Sequence, residues 1–134
     1  MAAVNSTFQL GDLQLAIMRV LWARGEATVA EVHAALEPER GLVFTTIATM
    51  LTKMEDKGVV AHRSEGRRFI YRPTVSESEV QRAMLADLTQ RLFLGDVTAV
   101  VSQLLDTTQV DAEELAQLRS LIARHQQIDP NEEA

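Results

Sequence analysis

The chain of 134 residues contains no cysteine. Disulfides, thiolate metal sites and cysteine nucleophiles are excluded together, and a reducing compartment suits such a chain. No stretch approaches the roughly 18 apolar residues of a membrane helix. Nor does a basic segment followed by an apolar run open the chain, so neither a signal peptide nor stable membrane association is expected, and the cytoplasm is the expected location. There is no Gly-rich phosphate loop, no G-x-S-x-G elbow and no H-E-x-x-H. His33, His62 and His125 stand far apart, none with a carboxylate or second His at ligand spacing on its own helix. The adjacent Glu113 and Glu114 sit at a helix start, where they favour the macrodipole rather than acid/base work. No metal, cofactor or enzymatic activity is expected. Internal repeats and low-complexity tracts are also missing.

The chain has instead enough apolar residues, 46%, for a real core, and a lopsided charge. The formal net charge is -6, yet residues 1–72 carry nine Lys/Arg against eight Asp/Glu. Residues 73–134 carry four against eleven. Lys53, Lys57, Arg63, Arg67, Arg68 and Arg72 outnumber the acids between 53 and 72. A local basic face of this kind suits phosphate, while an acidic remote part keeps the protein soluble.

Periodicity divides the chain further. Residues 1–9 have none and read as a flexible arm. From Asp12, Leu13, Ile17, Val20 and Leu21 share a helical face, and Gly25 stops the run. Thr28 and Glu31 have capping-box spacing and open a second helix to about Leu36, before Pro38 and Gly41 break it. A third helix begins near Phe44, with Ile47, Met50, Leu51 and Met54 at i, i+3, i+4 and i+7, and ends at Gly58. The period then changes to two. Val59 to Arg63 and Arg67 to Arg72 read as strands around a Ser64-Glu65-Gly66 turn, and Pro73 ends the hairpin. Three capped helices follow, starting at Ser76/Glu79, Asp96 and Asp111/Glu114; a frayed tail is expected over 127–134.

The expected fold class is mainly α with a small β-hairpin: a winged helix-turn-helix domain over 10–73, then a helical dimerisation region over 74–126. In that arrangement the third helix buries one face on the first two and leaves the other free for a major groove. The free face carries Thr45, Thr46, Ala48 and Thr49, short side chains suited to base edges. Thr52 and Lys53 further along, with Arg67 and Arg68 on the wing, are expected on phosphate. Phe69 and Tyr71 share a strand face and are expected to pack the wing on its own domain.

The last three helices carry more apolar stripe than a winged domain of about 70 residues needs, and such stripes bury themselves against a second copy. The expected dimer residues are Val80, Met84, Leu88 and Leu92 on the fourth helix, and Val97, Val100, Val101 and Leu104 on the fifth. Leu115, Leu118 and Ile122 complete the set on the last. The partner is then a double-stranded DNA operator bound by a homodimer. A winged-helix module that binds proteins instead remains the alternative reading, weakly favoured by the overall acidity. A regulator with a small-molecule pocket ranks below both.

Several runs carry a resemblance. "LGDLQLAIMRVLWARG" (10–25), "FTTIATMLTKMEDKGVV" (44–60), "HRSEGRRFIYRP" (62–73), "RLFLGDVTAVVSQLLD" (91–106) and "EELAQLRSLI" (113–122) together resemble the penicillinase-repressor (BlaI/MecI) family. The resemblance implies dimeric repressors of dyad operators, and a membrane-bound sensor metalloprotease as a further partner. It places Thr45, Thr46, Thr49 and Lys53 on the recognition helix, and Arg67 and Arg68 on the wing. Two departures stand out. Where the best-known members are cleaved between Asn and Phe, this chain reads Gln103-Leu104, and it lacks the cysteine cluster of copper-responsive relatives.

Overall fold

The computed structural model describes residues 8–128. The expected arm and tail therefore lie largely outside the described residues, although Phe8 packs against the core and Gln127 is helical. The described elements are α1 (Asp12–Arg24), β1 (Ala27–Thr28), α2 (Val29–Arg40), α3 (Phe44–Lys57), β2 (Val60–Glu65), β3 (Arg68–Pro73), α4 (Glu77–Phe93), α5 (Val97–Thr107) and α6 (Ala112–Ile128).

Local chemistry explains most boundaries. Thr28 Oγ1 accepts from the Glu31 amide at 3.1 Å while Glu31 Oε1 accepts from the Thr28 amide at 2.8 Å, so the expected capping box starts α2. The Thr28 amide, followed by the charge-attracting groups around it, holds the Glu31 carboxyl below its ordinary range. The box is thus complete above the ordinary carboxylate pKa and is lost as pH falls through the lowered one. Thr28→Ala is expected to cost about 1 kcal/mol, read as a lower midpoint in urea denaturation; an unchanged midpoint would show that α2 starts without it. Ser76 and Glu79 form the same reciprocal pair before α4. Asp96 and Asp111 cap α5 and α6 through the amides of Ala99 and Glu114.

Pro38 does not end α2 as expected. It sits in the last turn, where it removes one backbone bond only, and Gly41 closes the helix by donating to Glu37 O at 2.8 Å. The wing also differs. Ser64 and Glu65 belong to β2, and the turn is Gly66-Arg67, with Gly66 at φ 64°. β1 adds a third strand that pairs antiparallel with β3, giving the order β1-β3-β2. No local signal marks β1; two residues become a strand only because β3 lies beside them.

The chain divides into two compact units, the first running to Leu88 and the second from Thr89. The first unit's core joins Ile17, Met18 and Leu21 of α1 to Val32 and Leu36 of α2. Ile47, Leu51 and Met54 of α3, with Val59, Val60 and Tyr71 of the wing, complete its centre. Val80, expected in a dimer contact, is only 2% exposed and belongs to this core. Met84 packs partly against it as well. Trp22 Nε1 donates to Val75 O at 2.9 Å and secures the approach to α4, whose first turns cover the core. In the second unit none of residues 89–127 is buried.

Candidate nucleic-acid interface

α3 separates two chemistries. With 3.6 residues per turn, Ile47, Leu51 and Met54 fall on one side and are wholly buried. Thr45, Thr49, Thr52 and Lys53 are exposed on the other, with Ala48 half-buried among them and Thr46 half-buried at the flank. Asp56 closes the same exposed face at its C-terminal end, where its charge repels phosphate. The part of the face suited to DNA is therefore its N-terminal half, the half that a recognition helix presents to base edges.

The start of α3 is also distinct electrostatically. Its N-cap, Val43, makes no side-chain cap and its first turn has no acid. Among the described residues every other helix start has a capping side chain or an acid in its first turn. The positive end of the α3 dipole is left uncompensated, which favours an approaching phosphate. His33 Nε2 lies 2.8 Å from Leu42 O and its ring meets Phe44 edge-on, fixing the loop that leads into the helix. Val43 and Phe44 themselves remain exposed. Sequence reasoning missed this pair, because both fit an apolar helix start that packs inward.

The wing is fixed to α3 by a small polar and aromatic cluster. His62 Nδ1 lies 2.7 Å from Glu55 Oε1, and the His62 ring stacks on Phe69 with centroids 4.1 Å apart. Tyr71 is buried as expected, and burial chiefly pushes its hydroxyl pKa up, against a hydrogen bond with Thr52. Phe69 is packed less completely, leaving 46% of it exposed. Thr52 donates its hydroxyl proton to Ala48 O at 3.1 Å. Its hydroxyl is thus engaged by Ala48 O and by Tyr71, and a phosphate contact would have to compete with those bonds.

The cations of the wing have unequal freedom. Arg67 stands at the turn, exposed, and no ion pair is seen for it among the described residues. Arg68 is exposed too, but its Nη2 lies 3.0 Å from Glu65 Oε1. Arg63 is held by Glu26 at 2.6 Å, a bond that lowers the Glu26 carboxyl pKa and raises that of the guanidinium. Between the first turns of α2 and α3 and the wing runs a groove of about 330 Å³, lined by Phe44, Arg67, Arg68 and Phe69 among others. Among the described residues no cluster of metal-ligating side chains occurs and no helix is long and apolar enough to cross a membrane.

Of the expected dimer residues beyond the core, Leu88, Leu92, Val97, Val101, Leu104, Leu118 and Ile122 are exposed, and Val100 and Leu115 half-buried. Leu85, Leu94, Leu105 and Leu121 add to the exposed apolar surface.

Comparison with known proteins gives four findings. The family model described as penicillinase repressor matches residues 10–124. A penicillinase repressor of Bacillus licheniformis is 29% identical over 117 residues, covering 87% of this chain and 91% of that one. The transcriptional regulator BlaI of Mycobacterium tuberculosis is 33% identical over 117 residues, covering 86% and 83%. Among solved structures, a complex of hsRosR-SG superposes on 92% of this chain and 97% of its own with a TM-score of 0.51; at 18% identity this likeness concerns the fold alone.

Proposed function

Because the chain belongs to the penicillinase repressor family, we propose that it is a transcriptional repressor that binds a dyad operator in double-stranded DNA as a homodimer. In this reading α3 enters the major groove, Thr45, Thr46, Ala48 and Thr49 meet base edges, and Lys53 and Arg67 meet phosphates. Arg68 can join them only by leaving Glu65. The protein performs no chemistry of its own. The observation that carries the reading is the N-terminal half of α3: a short-side-chain face, free of the core, on a helix start with neither cap nor acid. The apolar surface of α5 and α6, none of it buried within the chain, supports the second copy. A sensor protease, the partner implied by family resemblance, would meet Gln103-Leu104 exposed on α5, in helical backbone that must unwind to be cut.

The test is fluorescence anisotropy at about 150 mM salt with the duplex upstream of the protein's own gene and a scrambled duplex. Nanomolar binding with a preference of about a thousandfold is expected for the first. Thr49→Ala is expected to weaken the operator by about 1–3 kcal/mol and the scrambled duplex hardly at all. Equal losses on both would remove Thr49 from base recognition.

A second reading has one specific observation in its favour. Val43 and Phe44 expose apolar surface at the leading end of α3, as a protein-binding module would. A dimer that ignores every duplex, even at low salt, would favour that reading.

A further inference from the structure

The charges around the wing form a closed set. Glu65 Oε1 lies 3.0 Å from Arg68 Nη2, and Glu65 Oε2 lies 3.7 Å from Arg63 Nη2. Arg63 in turn makes a two-point contact with Glu26, at 2.6 and 3.3 Å. Glu31 stands close enough for the charge of Arg68 to contribute to its lowered pKa, behind the larger effect of the Thr28 amide. A polar groove of about 320 Å³ runs among Glu26, Glu31, Arg63, Glu65 and Arg68. In that groove the carboxylates outnumber the guanidiniums.

Exposed pairs of this kind contribute little to folding. Side-chain exposure of 63% for Arg68 and 55% for Glu65 places both in that class. Their consequence lies in competition for a cation. A guanidinium binds carboxylate and phosphate through the same planar fork, so Glu65 occupies on Arg68 the place that a DNA phosphate would take. The hairpin register enforces the contact, because Glu65 and Arg68 are directly paired across the turn. Arg67, at the turn itself, has no such competitor.

We propose that Glu65 limits the affinity of the wing for the DNA backbone by acting as an internal stand-in for phosphate on Arg68. The inference rests on the DNA-binding reading and adds a residue to it: a carboxylate whose presence weakens binding. The effect is blind to sequence, since a phosphate contact positions the protein without reading bases. Removing the competing charge frees one phosphate contact, and each such contact adds about 0.9 to the salt slope.

Glu65→Gln keeps the shape of the side chain and removes its charge. Titrated between about 50 and 200 mM salt, it is expected to bind operator and scrambled duplex alike about three to ten times more tightly than the parent at the low-salt end, with a slope steeper by about one. Adding Arg68→Ala to Glu65→Gln is expected to abolish the gain, whereas Arg68→Ala alone costs the parent less than Arg67→Ala does. Thermal unfolding of Glu65→Gln should match the parent, which separates the effect from folding. Unchanged affinity and slope in a parent that does bind duplex overturns the inference and leaves the DNA reading standing. So does an effect confined to the operator. A parent that binds no duplex at low salt overturns both.

Discussion

Exchanging Val101 and Leu104 together for glutamate is expected to leave the winged unit folded and to lower operator affinity by about 10²–10⁴-fold. Val97, Val101 and Leu104 recur at i, i+4 and i+7 on α5, and Leu105 and Val100 flank them. None of these side chains is buried within the chain. In the proposed reading each half-site would be held by one α3 and one wing, and two linked copies would gain the avidity of intramolecular binding. Carboxylates on the shared surface would have to be desolvated without partners, a cost that dissociates the pair. Sedimentation should show the parent as a dimer at micromolar concentration and the variant as a monomer. The circular dichroism of the helices of the first unit should persist. A variant that remains dimeric and binds the operator like the parent would place the dimer contact elsewhere. A parent that sediments as a monomer would remove the second copy from the reading.

Ile47→Ala is expected to have the largest effect on stability, about 2–5 kcal/mol. Ile47 has no exposure and sits where α3 meets the core formed by α1, α2 and the wing. A domain of this size holds only about 5–15 kcal/mol in all. For a unit of 60–100 residues each kcal/mol corresponds to about 4–8 °C, so a fall of roughly 10 °C or more in Tm is expected. Duplex binding should disappear for operator and scrambled DNA together once the unit unfolds. Thr49→Ala, two residues further on, should leave Tm in place and weaken the operator alone. A fall in Tm for Thr49 and none for Ile47 would mean that the faces of α3 have been assigned in reverse.

The contrast between Ile47 and Thr49 was legible in the sequence. So were the Thr28, Ser76, Asp96 and Asp111 helix starts, and the end of α3 at Gly58, which takes φ 88° as a left-handed cap. Each depends on residues within one or two turns of one another. Thr52 shows where local reasoning stops: its type and spacing suited phosphate, but its hydroxyl is bonded to Ala48 and lies beside Tyr71 of the wing.

The sequence by itself determined the order of the helices and the hairpin, the faces of α3, the capped starts and the family. Those follow from hydrophobic period and short-range hydrogen bonding, which the chain carries wherever it folds. Tertiary structure alone decided that Ala27 and Thr28 form a strand, that Val80 is core, and that Arg63 is tied to Glu26. It also decided that Arg68 faces Glu65 while Arg67 does not. A two-residue strand has no period, a valine reads alike at a core or a partner, and residues 37 positions apart meet only after packing. For the wing arginines the register across Gly66-Arg67 decided the outcome, because a shift of one residue exchanges which cation stands opposite the acid.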